Sequence, residues 1–371
     1  MRKLITRFMT GWYYRTMYRP TRLNAGSLSD FPSEHFIATM PWISVREALC
    51  PSTALQMIAA HHGINQPRRY FDFLMGFSYG ASYRDDFGFI TVGTDPETGL
   101  ITAAPYLGLE QRYLVTDDAT LYLRALRSYL ARGYPVRVPL DMGALYGQAE
   151  ALPHNEVLVG YDAGGFTYYE PVSRPPAPSQ PGHLPPGQPG LYVTDERLLL
   201  AVARESSLFD YPWRYPLVVF EPGPSHSDLA PVWRQNGQAL VGGNRWGQQW
   251  GAAAIERLAD EIKRLGEHFN LAQIELGLEI GAATRPDNAA HMREHFGDHV
   301  DLQMAADHFD IAARCYQAAL DTVRHGNTGS SVIAKLTAWL REAAAAERAA
   351  GQIFLAHLDK RRAHTQPRDE I

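Results

Sequence analysis

The feature that most constrains this chain is a change of rhythm between residues 221 and 250. Before it, short apolar runs alternate with glycine- and proline-rich turns; from Trp250 onward, apolar residues recur every three or four positions. Strands present alternate residues to one face and helices every third or fourth, so the two halves must pack differently. The pattern predicts an α+β domain over residues 41–235, with an antiparallel sheet packed on a helix, followed by an α-helical domain over residues 236–358. The boundary falls between Pro222 and Asn244, where Pro, Gly, Ser and Gln accumulate. Residues 1–40 read as an N-terminal arm and residues 359–371 as a charged, frayed tail. With 371 residues, 45% of them apolar and 20% charged, the chain has enough material for two soluble cores.

A formal net charge of −5 argues against a general nucleic-acid binder, since no basic face is needed to explain the composition. The basic, aromatic opening MRKLITRFMTGWYYRTMYRPTR is interrupted by Arg7, so it reads as a packed arm rather than a signal peptide, and no apolar stretch is long enough to span a membrane. Cys50 and Cys315 are the two cysteines. Two are too few for a disulfide framework, which makes a reducing cytoplasm the expected compartment and leaves a free thiol available.

Cys50-Pro-Ser-Thr-Ala-Leu-Gln-Met-Ile-Ala-Ala-His-His-Gly63 reads as a helix with a cysteine at its mouth. Pro51 suits the first helical position and Gly63 the left-handed residue after the last turn. Cys50 then stands at the N-cap, where free backbone N–H groups and the helix dipole favour thiolate over thiol. Ala54, Leu55, Ile58 and Ala59 share one face at helical spacing and anchor the segment. A small buried apolar residue is the competing reading of Cys50. His61 and His62 read as favourable charges at the helix C-terminus rather than as ligands.

Tyr70 to Gly88 mixes aromatics with glycines and reads as a tight loop, either lining a pocket near the thiol or simply turning. Thr120 to Arg132 is helical, with Gly133 as its stop, and Pro135 to Leu140 is a short strand. His154 to Tyr161, a turn at Asp162-Ala-Gly-Gly165, and Phe166 to Tyr169 form a hairpin. A turn centred between Ala163 and Gly164 sets Glu170 opposite Val157 and brings Glu170 and His154 to the same open end. A carboxylate there accepts a hydrogen bond from one ring nitrogen and frees the other for a nucleophile, as a base and its orienter require. Asp162, at the turn, is the poorer orienter. Residues 171–190 read as a loop, Leu191 to Glu205 as a helix, and Tyr215 to Glu221 as a strand.

In the second domain, helices are expected from Trp250 to Leu265, from Ala305 to Val323 with Gly326 as the stop, and from Val332 to about Leu358. His291, His295 and His299 are spaced four apart, the pattern that aligns metal ligands on one helical face, with Asp301 and His308 within reach. Gly297 weakens that helix and HExxH is absent. A solvated histidine cluster with no bound metal is therefore the preferred reading, and no cofactor is expected. Cys315 falls on the apolar side of a regular helix.

A cysteine at a helix start, a histidine on a strand about a hundred residues later, and a carboxylate after the next strand follow the chain order of papain-like thiol enzymes. The segments ALCPSTALQMIAAHHG, FLMGFSYGASY, PYLGLE and HNEVLVGYDAGGFTYYEP, followed by YVTDERLLLAVARES, resemble the butirosin-biosynthesis acyltransferase family over most of residues 40–355. The resemblance implies a papain-like domain whose cysteine accepts an acyl group as a thioester, often from an acyl carrier protein, and passes it to an amine of a small natural product. Cys50 matches the family's nucleophile and His154 its base, while Glu170 stands where the family more often has aspartate. Related peptidases place a glutamine about six residues before the cysteine as an oxyanion donor, where this chain has Ser44; Leu49 stands where the family often has histidine. Two other readings share these residues: a papain-like thiol peptidase or amidase, and a non-catalytic module that binds a carrier or partner.

Overall fold

A computed structural model of the chain describes residues 11–46, 49–84, 88–173, 190–245, 248–325 and 329–365. The chain forms two units, each assembled from two separated stretches: Met1–Gln66 with Leu100–His226, and Pro67–Gly99 with Ser227–Ile371. A continuous first domain over 41–235 was the expectation; instead residues 67–99 and 227–235 belong to the second unit.

The first unit is α+β. Its sheet has eight strands among the described residues: β1 (Thr21–Arg22), β2 (His35–Phe36), β3 (Leu109–Thr116), β4 (Val136–Asp141), β5 (Pro153–Tyr161), β6 (Gly165–Tyr169), β7 (Leu191–Thr194) and β8 (Tyr215–Pro222). The order is β1-β3-β8-β4-β5-β6-β7, with β2 also paired to β5. Only the β1–β3 pairing is parallel. The arm therefore does more than wrap the domain, because β1 and β2 are part of its sheet.

Three helices cover this sheet: α1 (Cys50–His61), α2 (Ala119–Ala131) and α3 (Asp195–Leu208). α1 and α2 lie against β5, and α3 against β4. Asp118 caps α2 by accepting from the N–H groups of Thr120 and Leu121, and Thr194 caps α3 by accepting from Arg197. The expected helix from Leu191 thus starts four residues late. Leu191–Thr194 pairs with β6 and extends the hairpin into a three-stranded meander.

The β5–β6 hairpin follows the expected turn, with Tyr161 opposite Phe166 and the Asp162 side chain accepting from the N–H groups of Gly164 and Gly165. A bulge between Leu158 and Gly160 then shifts the register by one, so Tyr169 rather than Glu170 faces Val157.

The second unit has a helical core. Its long helices are α4 (Ala230–Val241), α5 (Ala252–Leu265), α6 (Ala272–Phe296), α7 (Val300–His325) and α8 (Ser330–Thr365). α4 occupies the stretch read as a linker. Gly237 serves helix packing there: a Cβ on it would come within 3.0 Å of the Gly351 carbonyl, so α4 and α8 cross at backbone distance. The expected stop at Gly326 and residues 366–371 of the tail lie outside the described residues, as does most of the 171–190 loop.

The run read as a loop from Tyr70 to Gly88 begins with a helix at Arg68–Met75 and continues as strands Ser82–Arg84 and Gly88–Ile90, which pair with each other; Gln248–Trp250 joins them in a small sheet. One buried cation explains why the run belongs here. Arg285 on α6 is fully buried and donates to the Ser78 and Gly80 carbonyls at 2.7 Å, while its Nε lies 2.8 Å from Oε1 of the equally buried Glu347 on α8. Tyr316 on α7 donates to the same carboxylate oxygen at 2.7 Å. Asn288 accepts from the Ser78 hydroxyl and donates to its carbonyl. The guanidinium thus spends its donors on the loop and on a carboxylate, the pairing a buried charge requires. α6 remains unbroken through Pro286, held on either side by these anchors.

Removing one partner of such a pair leaves an uncompensated buried charge. Glu347→Ala is expected to lower the unfolding free energy by about 3–5 kcal/mol, read as a fall in urea midpoint for the full chain.

Candidate active site

Cys50 is the first residue of α1, followed by Pro51, so it stands at the end of a helix whose Pro51, Ser52, Thr53, Ala54, Leu55, Met57, Ile58 and Ala59 are buried. The expected apolar face is present, and burial extends around most of the helix. Leu49 is the N-cap, one residue earlier than the sequence pattern suggested. His61 bonds the Gly133 carbonyl at 2.9 Å and Thr39 at 3.3 Å, fastening the far end of α1 to the turn after α2. His62 does not act as a charge there: burial, then the neighbouring His61, pushes its imidazole below the ordinary range.

β5 brings His154 to the sulfur. The ring and thiol are close enough for each to shift the other's ionisation, and Nε2 lies 2.6 Å from Glu170 Oε1. With Nε2 committed to the carboxylate, Nδ1 is the nitrogen left for sulfur. Cys50, His154 and Glu170 are therefore brought together, with His154 7% exposed and Glu170 2%.

Glu170 is held from several sides. Oε1 also accepts from the Val172 N–H at 2.9 Å, and Oε2 accepts from Tyr146 at 3.1 Å. Burial pushes this carboxyl up, but the His154 charge and the hydrogen bonds from His154, Glu156 and Val172 outweigh it and leave Glu170 below its usual range. Glu156, 1% exposed, moves the other way. Burial and the Glu170 charge raise it well above the carboxylate range, which favours its neutral form. Glu205 on α3 is also raised, by burial and then by the charges of Asp141 and Cys50. Keeping both acids neutral avoids stacking negative charge beside a thiolate.

Burial pushes the Cys50 thiol up, yet the His154 charge, hydrogen bonds from His154 and Asn155, and the Arg137 charge bring it below an ordinary thiol. Burial pushes His154 down, while Cys50 and Glu170 more than offset that and raise it to about 10. The two shifts thus favour thiolate and imidazolium over thiol and imidazole, with a carboxylate behind the ring.

A donor beside the sulfur comes from the residue after His154. Asn155 Nδ2 lies 3.5 Å from Cys50 Sγ, and its Oδ1 accepts from the guanidinium of Arg137, which is 1% exposed. Because guanidinium only donates, the amide can face one way only, with N–H groups toward the sulfur. Ser44 is exposed and supplies no hydrogen bond to Cys50 among the described residues. Its neighbours brace the site instead: Trp42 stacks on Tyr169 at 5.3 Å and donates to the Glu170 carbonyl at 3.0 Å, and Val45 bridges Val172.

Sequence reading missed Asn155, Glu156, Arg137, Tyr146 and Glu205. The readable signals were an arginine inside the apolar run PVRVPL and three polar residues opening a strand that is buried from His154 onward.

His154, Glu156 and Glu170 also bring three donor atoms within 4.8 Å, as metal ligands do. In the second unit, the evenly spaced histidines separate. His291 is buried against Phe73 and His295, and burial, with His295 and Arg69 adding to it, pushes its ring down to about 3. His299 instead meets Asp301 and His357, a set that does not include His308. Cys315 is buried, and burial raises its thiol to about 11, which leaves it unreactive at neutral pH.

No protein-family model matches the chain, and no curated protein matches it in sequence.

Thiolate forms as pH rises through the depressed Cys50 value, and the imidazolium that stabilises it persists until pH approaches about 10. Alkylation of Cys50 by iodoacetamide should therefore rise with an inflection below the ordinary thiol value of about 8.5. In His154→Ala the inflection should move upward, toward that value or beyond. Peptide mapping of the labelled cysteine across pH 5–10 would measure both profiles.

Proposed function

We propose that the chain is a cysteine-dependent acyltransferase of papain-like architecture, using an acyl-Cys50 intermediate. The carrying observation is the imidazole of His154, close enough to Cys50 for each to shift the other's ionisation and joined through Nε2 to Glu170 at 2.6 Å. Nucleophile, base and orienter stand in the required sequence of contacts. A helix headed by the cysteine and laid on an antiparallel strand that carries the histidine supports the papain-like reading. Resemblance of the segments around Cys50 and His154 to the butirosin-biosynthesis family supports transfer over hydrolysis, with an acyl carrier protein as donor and a small-molecule amine as acceptor.

The thiolate attacks the carbonyl carbon of a thioester, a nearly isoenergetic exchange of one C–S bond for another. As the donor's C–S bond breaks, its sulfur takes the proton held by His154. An amine then attacks the acyl-Cys50 carbonyl, His154 removes the proton the amine loses, and Cys50 leaves as thiolate. The products are an amide and the donor's free thiol. Glu170 keeps the imidazolium in place at both stages, and the Asn155 amide together with the Cys50 backbone N–H is the donor pair for the developing oxyanion. A donor at that position is typically worth about 10²–10³ in kcat.

Incubation with a panel of acyl thioesters should add one acyl mass to the intact chain, and Cys50→Ala should abolish the adduct. Adducts that survive this substitution, or cleavage of peptides in place of acylation, would defeat the proposal. Asn155→Ala should slow acylation by about 10²–10³-fold while retaining iodoacetamide labelling, because the nucleophile remains; single-turnover mass spectrometry measures the loss.

A further inference from the structure

We propose that His299, Asp301 and His357, in the second unit, form a binding site for a late first-row divalent cation, with zinc the best match to two imidazoles and a carboxylate. The site is independent of the Cys50 chemistry. His299 immediately precedes α7, Asp301 lies in its first turn, and His357 projects from the last part of α8. One donor atom from each of the three lies within 4.8 Å of the others. His357 Nδ1 and Asp301 Oδ2 are 3.2 Å apart, and the His299 and His357 rings stand nearly perpendicular with centroids 5.1 Å apart. Tetrahedral zinc with ligands at about 2.0–2.1 Å holds its donors roughly 3.3 Å apart. One pair, at 3.2 Å, is already at that spacing, and the third donor lies within 4.8 Å of both.

The donors are also oriented. Asp301 Oδ1 accepts from the Leu302 N–H at 3.1 Å, which leaves Oδ2 facing His357. His357 is 6% exposed and packs against Trp233 at 5.8 Å, so its ring has little freedom, whereas His299 is exposed and supplies an entry path. The Lys360 ammonium, 3.3 Å from Asp301 Oδ2, already balances this carboxylate. Its side chain is 66% exposed and can swing into water when a metal takes that role. Bound metal would clamp the start of α7 to the end of α8, with a coordination position open toward solvent on the His299 side. The even series His291, His295, His299 drops out, because His291 is buried and faces His295.

The test uses tag-free full-length Cys50→Ala protein, which removes the thiolate as a competing ligand, stripped with chelator and titrated with zinc chloride by calorimetry and thermal melting. Cobalt(II) serves as a visible probe of coordination. The expected result is one zinc per chain, a melting temperature that rises with zinc and falls back with chelator, and binding at least about tenfold weaker in His299→Ala and in His357→Ala, since even outer-shell partners are worth that much. His295→Ala should bind as tightly as its parent. His299 is exposed, so its substitution reports on the site even if His357→Ala folds poorly. Absence of zinc binding, or binding that either folded variant retains undiminished, overturns the proposal.

Discussion

The short hydrogen bond between His154 and Glu170 decides which nitrogen of the ring is free. Without a fixed acceptor at Nε2, the imidazole could rotate and present either edge to the sulfur. With one, Nδ1 is the nitrogen left free, and the charge on the ring has a counterion behind it. The carboxylate is itself held in place, by a tyrosine and a backbone N–H. Rigidity at the base is thus built from groups that never meet the sulfur, the arrangement a preorganised site needs.

Charge accounting explains the composition of this region. Thiolate, imidazolium, Glu170 and Arg137 alternate in sign, while Glu156 and Glu205 stay neutral because their burial and neighbours make ionisation costly. An extra buried negative charge would destabilise the thiolate. A buried cation, Arg137, helps it and also fixes the amide of Asn155. One arginine therefore serves two ends, which accounts for a charged residue in the middle of an apolar strand.

Local rules made part of this legible in the sequence. Proline after Cys50, glycine at 63 and the Asp162-Ala-Gly-Gly165 turn specify a helix and a hairpin from neighbouring residues alone, and those two elements place Cys50, His154 and Glu170. What escaped depends on partners distant in sequence. Leu191–Thr194 looks helical by spacing and becomes a strand because β6 offers it an edge. The aromatic run after Tyr70 reads as a loop until Arg285, some two hundred residues later, takes its carbonyls. The bulge between Leu158 and Gly160 has no local signature beyond the glycine, yet it shifts the register on the stretch that leads to Glu170. Asn155 was hidden by the more conspicuous histidine beside it.

The excursion of residues 67–99 into the second unit has a consequence for how the molecule can be divided. A cut near residue 235 would strand Phe73, Tyr79 and the carbonyls of Ser78 and Gly80 without the arginine and aromatic side chains that cover them. The unit bearing Cys50 omits that internal segment and ends at His226, so no single cut separates the two units. Gene truncation alone would expose a greasy, hydrogen-bond-starved surface on that segment.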